Sequence, residues 1–218
     1  MPPKPKFTRE EVVSAALELV SEQGLEALTA RDLGARLGSS PRPIFTVFRS
    51  MEELTCEVRA AAMRRYDDYV GRAVDYTPAF KRFGVQMILF ATEEPWLFRL
   101  LFMRENAAAG DVSSVAELLG PTRELSLAAI VRDYGLTPRE AEGFFEQLWV
   151  FTYGLAVLCA TGMCRPSEAE INAALGREFM GMMSLMKRGK WDDPTPTPIP
   201  NGAKSGEIET KNENATNG

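Results

Sequence analysis

The stretch that decides the fold is LTARDLGARLGSSPRPIFTVFRSMEEL, residues 28–54. Thr29 and Ser50 are each followed three positions later by an acidic residue, a pattern typical of the N-terminal cap of a helix. Gly38 follows the first helical run, and glycine is the residue that most often ends a helix. The stretch therefore predicts a helix over about 29–37, a Gly-Ser turn, and a long helix that begins after Ser50.

Two prolines, Pro41 and Pro43, lie between the turn and Ser50. The amides in the first turn of a helix have no internal partners, so a proline there costs little. Pro43 biases Arg42 away from the helical region. We predict a short helix over about 41–48 that begins properly at Pro43, with Ile44, Phe45 and Phe48 packed into the core.

The residues before this stretch supply one more helix. Thr8 and Glu11 form a capping box, and apolar residues then repeat at helical spacing to about residue 23. Two short helices joined by a tight turn that contains glycine form a helix-turn-helix, which presents its second helix to the major groove of DNA. Between Thr29 and Ser50 the chain carries four arginines and one aspartate, a local charge of 4 − 1 = +3.

The rest of the chain, up to about Lys187, also has the pattern of helices, with further capping boxes predicted at Thr137 and Ser167. No segment shows the sustained two-residue alternation of a strand, so we expect an all-α fold with about nine helices. From Gly189 the sequence is rich in Pro, Asn, Thr and Gly, and we expect residues 189–218 to be a disordered tail.

Composition excludes several functional classes. The 218 residues include no histidine, which excludes Ser-His-Asp and Cys-His catalysis and every His-ligated metal site. Three cysteines are too few for a zinc site of four thiolates, so we expect a protein that is not an enzyme and binds no metal or other cofactor. The sequence shows neither an apolar run long enough for a membrane span nor a signal peptide, so we expect a cytoplasmic protein with no membrane partner.

Residues 28–54 resemble the N-terminal signature of the tetracycline-repressor (TetR) family of transcriptional regulators, from the Thr-capped helix to the Phe-x-Ser before an acidic helix. A second stretch, LWVFTYGLAVLCATG at residues 148–162, is similar to a C-terminal domain type of that family marked by Trp and then His-Gly, with Tyr153 in place of the histidine. The resemblance implies a homodimer with a helix-turn-helix DNA-binding domain at 1–55 and a helical ligand-binding and dimerisation domain at 56–188. It implies a ligand-responsive regulator, a repressor of a palindromic operator that a small hydrophobic effector releases.

The sequence departs from the family pattern at three positions of the DNA-binding element. Phe45 replaces the usual tyrosine, Met51 replaces the usual lysine, and Pro43 replaces a residue that is often small or hydroxylated. Phosphate contacts set much of the affinity for DNA, so the lost hydroxyl and charge imply weaker non-specific binding or an unusual operator. The alternative is a TetR-like protein that has weakened or lost DNA reading and acts through protein contacts.

We interpret Arg42 as the best candidate for a base contact, because arginine suits the guanine edge bidentately, although it could also be a solvated turn residue. Arg36 is interpreted as part of a solvated face. The full set of candidate DNA-binding residues is Thr29, Arg31, Ser40, Arg42, Pro43, Phe45, Thr46 and Arg49.

The later helices are rich in large apolar residues, most of which must form the core. By resemblance, some of them line a pocket for a hydrophobic effector, and the candidates are Phe83, Met87, Phe90, Phe98, Phe102, Gln147 and Phe151. Small residues in the last two helices allow close helix approach, and in this family these helices pair across the dimer. The candidate interface residues are Tyr153, Ala156, Ala160, Ala173, Phe179, Met180 and Met183.

Overall fold

The computed structural model describes residues 6–104, 110–189 and Trp191. Within these ranges the chain contains α-helices and short 3-10 turns and no strand, which confirms the predicted all-α fold. The nine α-helices of the described residues are α1 (Arg9–Gln23), α2 (Ala30–Arg36), α3 (Met51–Gly71), α4 (Ala79–Glu93), α5 (Pro95–Phe102), α6 (Val112–Ala116), α7 (Pro121–Tyr134), α8 (Pro138–Ala160) and α9 (Glu168–Lys187). The predicted tail, apart from Gly189 and Trp191, lies outside the described residues.

The predicted caps start the helices where the sequence places them. Complete capping boxes form at Thr8, Thr137 and Ser167. In each, the cap side chain accepts a hydrogen bond from the backbone amide of a glutamate three residues later, and that glutamate's carboxylate accepts one from the backbone amide of the cap residue. Ser50 also caps its helix, but the box there is only half formed. The carboxylate of Glu53 instead accepts the amide of Arg49 at 2.7 Å, which ties the preceding segment to the start of α3.

The short helix predicted over 41–48 is wrong in its extent, because the segment forms only one 3-10 turn, Ile44–Thr46. The amides of Ile44 and Thr46 bond to the carbonyls of Pro41 and Pro43, three residues back, at 3.1 Å each. The two prolines supply no amide, and Pro43 disfavours a helical Arg42, so an α-helix cannot start earlier. The helix count still matches because α6 takes the place of this element.

The prediction that Phe45 packs into the core with Ile44 and Phe48 is also wrong. Ile44 and Phe48 are 1% and 2% exposed, whereas Phe45 is 48% exposed. Ile44 and Phe48 are four residues apart and face the same side of the turn, and Phe45 is rotated out of that face. The turn is therefore held by two apolar side chains and presents the third to solvent.

Helix α4 lies at the centre of the larger part of the molecule, where it packs against α3, α5, α7, α8 and α9. Nine of its fifteen residues are buried, among them Gln86. Helix α3 joins this part to the N-terminal head, which we define as α1, α2 and the segment up to Ser50. The predicted domain boundary between residues 55 and 56 falls inside α3, so one continuous helix crosses it.

Helix α8 is also long and apolar enough to cross a membrane, by length and composition alone. In the fold it packs against α4, α7 and α9, and one side of it is buried in the core. A core helix of a water-soluble protein passes the same test, so the length and composition of α8 carry no further conclusion.

Candidate functional site

The predicted DNA-binding residues all lie on the head. The side chains of Arg31, Arg42 and Arg49 are exposed, as are those of Ser40 and Thr46. Thr29 is exposed and caps α2 by accepting the amide of Asp32 at 3.1 Å. Pro43 is half-buried, and its carbonyl accepts the hydroxyl of Thr46 at 2.6 Å. The head thus presents polar and cationic groups around α2 and the 3-10 turn.

Gly34 fixes how closely the turn approaches α2, a role that the sequence patterns did not reveal. A Cβ added at this position would lie 3.0 Å from the backbone nitrogen of Pro41 and 3.1 Å from the carbonyl oxygen of Ser39. The amide of Ser39 also donates to the carbonyl of Gly34 at 2.9 Å. Only a residue without a side chain leaves room for backbone that close.

Arg9 anchors the other end of the turn and was also missed by the sequence patterns. Its guanidinium donates to the carbonyl of Val47 at 2.9 Å and stacks over the ring of Phe48 at 4.2 Å. It also pairs with Glu53 at 2.8 Å and Glu57 at 3.0 Å, both on α3. The hydrogen bonds to these two carboxylates raise the pKa of Arg9, and the bond to Glu57 has the larger effect. One side chain therefore connects α1, the turn and α3.

The arginines of the head are not equivalent in their pairing. Arg36 forms two bonds to Glu22, at 2.7 and 2.6 Å, and this pairing lowers the pKa of Glu22. Within the described part of the chain, Arg31, Arg42 and Arg49 form no ion pair. The positive charge left free for a partner therefore lies at the start of α2 and on either side of the 3-10 turn.

A cavity lies between α3, α4, α7, α8 and α9. It encloses about 500 Å³ of empty space when the open solvent at its mouth is included. Its walls are mostly apolar, and the aromatic members are Tyr66, Phe80, Phe83, Phe145, Trp149 and Phe179.

Only two of the seven predicted ligand-binding residues, Phe83 and Met87, line this cavity. Phe90 and Phe98 are 0% exposed and belong to the core, and Phe102 packs against Tyr66 with ring centroids 5.0 Å apart. Gln147 and Phe151 are exposed on the outer side of α8, which corrects their assignment to the pocket. The helical period places Phe145, Leu148, Trp149 and Thr152 on the inner side instead.

Helix α5 joins the head to the larger part of the molecule. Glu94, which precedes it, pairs with Arg65 of α3 and accepts the hydroxyl of Ser21 of α1 at 2.7 Å. Trp96 packs against Gly24 at the end of α1, where an added Cβ would lie 2.8 Å from the indole ring. At its other side, Arg99 donates twice to the carbonyl of Ala160, at 3.1 and 2.8 Å, at the end of α8.

The predicted interface residues of α8 and α9 differ in their exposure: some are buried, some half-buried and some exposed. Ala156 and Ala160 are 0% and 3% exposed, so the subunit buries them itself, and the structure corrects their assignment to an interface. Tyr153 is half-buried and donates its hydroxyl to the carbonyl of Phe102 at 2.8 Å. Ala173 and Met180 are exposed, and Phe179 and Met183 are half-buried.

The exposed sides of α8 and α9 nonetheless carry several apolar residues, beside the polar Gln147 and Arg177. On α8 they carry Val150, Phe151 and Leu158 at helical spacing around Gly154, and on α9 they carry Met180 and Leu185. A Cβ added at Gly154 or Gly181 would meet nothing within 4 Å, so both glycines lie open on the surface. We call these exposed residues the α8/α9 stripe.

No group of His, Cys, Asp or Glu side chains in the described ranges could hold a metal ion. The three cysteines are free thiols. The cavity and the cationic side of the head are the candidate sites for a small molecule and for DNA.

Comparisons with known proteins found a family match in the N-terminal part of the chain and a likeness in overall fold. Residues 12–58 match the family described as bacterial regulatory proteins, tetR family. Among solved structures, the chain is similar to a "putative TetR-family transcriptional regulator" from Mesorhizobium loti MAFF303099, at 17% identity and a TM-score of 0.53. The match covers 81% of this chain and 95% of the other. Comparison with curated proteins gave no match.

Proposed function

Because the chain is a TetR-family protein, with that family's N-terminal domain and helical fold, we propose that it is a ligand-responsive transcriptional regulator that binds a DNA operator. We propose further that it acts in the cytoplasm as a homodimeric repressor of a palindromic operator and is released by a small hydrophobic effector. The observation that carries the proposal is the family match over residues 12–58, which covers most of α1, all of α2 and the 3-10 turn Ile44–Thr46.

The charges of the head support a role for each arginine. Arg42 lies just before the 3-10 turn and has no ion-pair partner among the described residues. We propose that its guanidinium contacts the edge of a guanine in the major groove. We propose that Arg31 and Arg49 contact backbone phosphates on either side of that guanine. The first backbone amides of α2, which follow Thr29, would contact a phosphate as well. Ser40, Phe45 and Thr46 complete the face toward DNA.

One observation favours a second candidate function. The element that should enter the groove is a single 3-10 turn. Pro43 directly precedes it and Phe45 lies within it, and both depart from the family pattern. Met51 leaves the start of α3 without the usual positive charge. A protein that has lost DNA reading and acts through protein contacts would tolerate all three changes.

Binding to the DNA that flanks the protein's own gene separates the two functions. For the regulator we expect specific binding to the flanking DNA. The logarithm of the binding constant should fall linearly with the logarithm of the salt concentration, and the slope should be about −0.9 for each phosphate contacted. Fluorescence anisotropy with labelled duplexes over a salt series measures this slope. Scrambled DNA of equal length is the control, and equal affinity for both duplexes at every salt concentration would favour the second candidate.

The α8/α9 stripe supports the homodimer. Apolar side chains and open glycines on two neighbouring helices allow a second copy to approach closely, and a two-fold axis would present two heads to a palindrome. The interface residues we assign are therefore Val150, Phe151, Leu158, Met180 and Leu185, with Ala173 beside them.

Charged substitutions in the stripe should separate the subunits. Combining Val150→Glu with Met180→Glu puts two unpaired carboxylates of each subunit into the interface, and we expect monomers at micromolar concentration by light scattering. The monomer should remain helical by circular dichroism, since both side chains are exposed. Leu125→Glu, an equally exposed apolar position on α7, is the matched control. A wild-type protein that is already monomeric would contradict the homodimer.

The switch we propose is a population shift between two arrangements of the heads. An effector in the cavity must bind the DNA-incompetent arrangement more tightly, or it shifts nothing. Tyr66 of α3 lines the cavity, and Thr122 of the cavity wall donates to Asp67 of α3 at 3.2 Å. Through α3, and through the contacts of α5 with α1, an occupied cavity can bias the position of the head.

A further inference from the structure

The polar groups in the cavity wall differ in whether the protein itself satisfies them. The hydroxyls of Thr122, Ser126 and Thr152 each donate to an acceptor of the chain, at 3.2, 2.8 and 2.7 Å. Trp149 does not. It is 7% exposed, it lines the cavity, and its indole nitrogen is buried with no acceptor among the described residues.

Lys81, a half-buried cation, is the second polar group that the cavity wall offers to a ligand. It lines the cavity from α4, and its ammonium lies 3.6 Å from the position that a Cβ on Gly176 would take, so it lies between α4 and α9. The adjacent Arg82 pairs with Glu168 of α9, but Lys81 has no carboxylate partner within the described part of the chain. The cavity therefore has a cation at its α9 side that the protein leaves unpaired.

We propose that the ligand of this cavity is an amphiphilic carboxylate, with an apolar body between the aromatic walls, an oxygen acceptor for the indole N–H of Trp149, and its carboxylate at Lys81. The inference rests on the proposed function for its biological meaning, because it names the chemical class of the effector. The two polar groups are provided by different helices, α8 and α4, so a single ligand would bridge them.

The energetics of burial favour this class over a pure hydrocarbon. A buried donor without an acceptor costs free energy that an apolar ligand would leave uncompensated, whereas a carbonyl or ether oxygen would recover it. A charge-assisted hydrogen bond to an ammonium is stronger than a neutral one. A cationic ligand would meet Lys81 as a like charge, so the site should also discriminate by the sign of the charge.

Isothermal titration calorimetry on the full chain, without DNA, tests the proposal with decanoate, decan-1-ol and decylammonium as probes of equal chain length. We expect decanoate to bind about tenfold more tightly than the alcohol and the ammonium to bind most weakly. Lys81→Met should remove the advantage of the carboxylate over the alcohol. Lys187→Met, an exposed lysine at the end of α9, is the matched control and should keep it.

Monoketo derivatives of decanoate, with the ketone at successive positions along the chain, test the role of Trp149. At one position the ketone should improve affinity over decanoate by about fivefold, and Trp149→Phe should abolish that gain while decanoate itself still binds. The phenylalanine ring keeps most of the packing, and unchanged circular dichroism would show that the variant is folded.

The outcomes separate this proposal from the proposed function. Equal binding of decanoate and decanol to the wild type, or a carboxylate preference that survives Lys81→Met, would overturn the proposal even if the protein binds its operator. If a ketone still improved the affinity over decanoate in the Trp149→Phe variant, Trp149 would not be the residue that binds the ligand's oxygen. Conversely, the cavity could prefer carboxylates in a protein that does not bind DNA. That result would contradict the proposed regulator but support the proposed ligand class.

Discussion

Replacing Gly24 by alanine is expected to lower the free energy of unfolding by about 3 kcal/mol, for two reasons that add. Gly24 has φ 87° and ψ 171°, a region that is essentially reserved for glycine. The new methyl group would also lie 2.8 Å from the ring of Trp96, whose centroid is 4.7 Å from the guanidinium of Arg99. Denaturant unfolding followed by circular dichroism at fixed protein concentration measures the loss.

Gly135→Ala is the matched control for this variant. Gly135 ends α7 with φ 67° and ψ 24°, and a Cβ there would meet nothing within 4 Å. Its substitution should cost only the strain of a left-handed alanine, about 1 kcal/mol. Equal losses in the two variants would contradict the contact with Trp96.

A double-mutant cycle isolates that contact. Adding Trp96→Ala to Gly24→Ala removes the clash but leaves the backbone strain, so the loss in the double variant should be smaller than the sum of the two single losses. The same variants test the connection between the head and α5, since Gly24 ends α1 and Trp96 belongs to α5. Strict additivity would mean that Gly24 acts through its backbone alone.

Replacing Arg42 by alanine is expected to reduce the preference for operator over scrambled DNA by about 100-fold. A bidentate contact to guanine is worth about 1 to 3 kcal/mol of discrimination, and a homodimer would lose two such contacts. Electrophoretic mobility shifts or fluorescence anisotropy with both duplexes at one salt concentration give the ratio. Unchanged discrimination would refute the role of Arg42.

Two further arginines serve as controls with different expected results. Arg36→Ala should leave both affinities nearly unchanged, because Glu22 already holds this side chain by two hydrogen bonds. Arg49→Ala should weaken binding to both duplexes alike and reduce the slope against salt by about 1 for each phosphate that the arginine neutralises. If Arg49 changed the discrimination and Arg42 did not, the assignment of base and phosphate contacts would have to be reversed.

The predictions from sequence succeeded where the determinants are local. Thr8, Thr137 and Ser167 cap helices as predicted, because a cap joins residues only three positions apart. The failures came where distant parts of the chain meet. Gln147 and Phe151 are expected by resemblance to line the pocket, but the packing of α8 against α4 decides which side of α8 faces it, and that packing puts Trp149 inside and these two residues outside.

The candidate sites show the same division. The exposure of Arg42 beside a turn follows from its position between two prolines. The pairing of Arg36 with Glu22 and the anchoring of Val47 by Arg9 do not, because the partners are 14 and 38 residues apart. No periodicity in the sequence joins Lys81 and Trp149 at one cavity.

The sequence by itself determined that this protein is helical, where most helices begin, and that its first part has a helix-turn-helix layout, because helix periodicity, caps and prolines act within a few residues. Only the tertiary structure decided that Ile44 and Phe48 enter the core while Phe45 stays outside, that Gly24 contacts Trp96, and that Trp149 and Lys81 line one cavity. Those features depend on how packed helices approach one another, and close packing is a property of the whole fold rather than of any one stretch of the sequence.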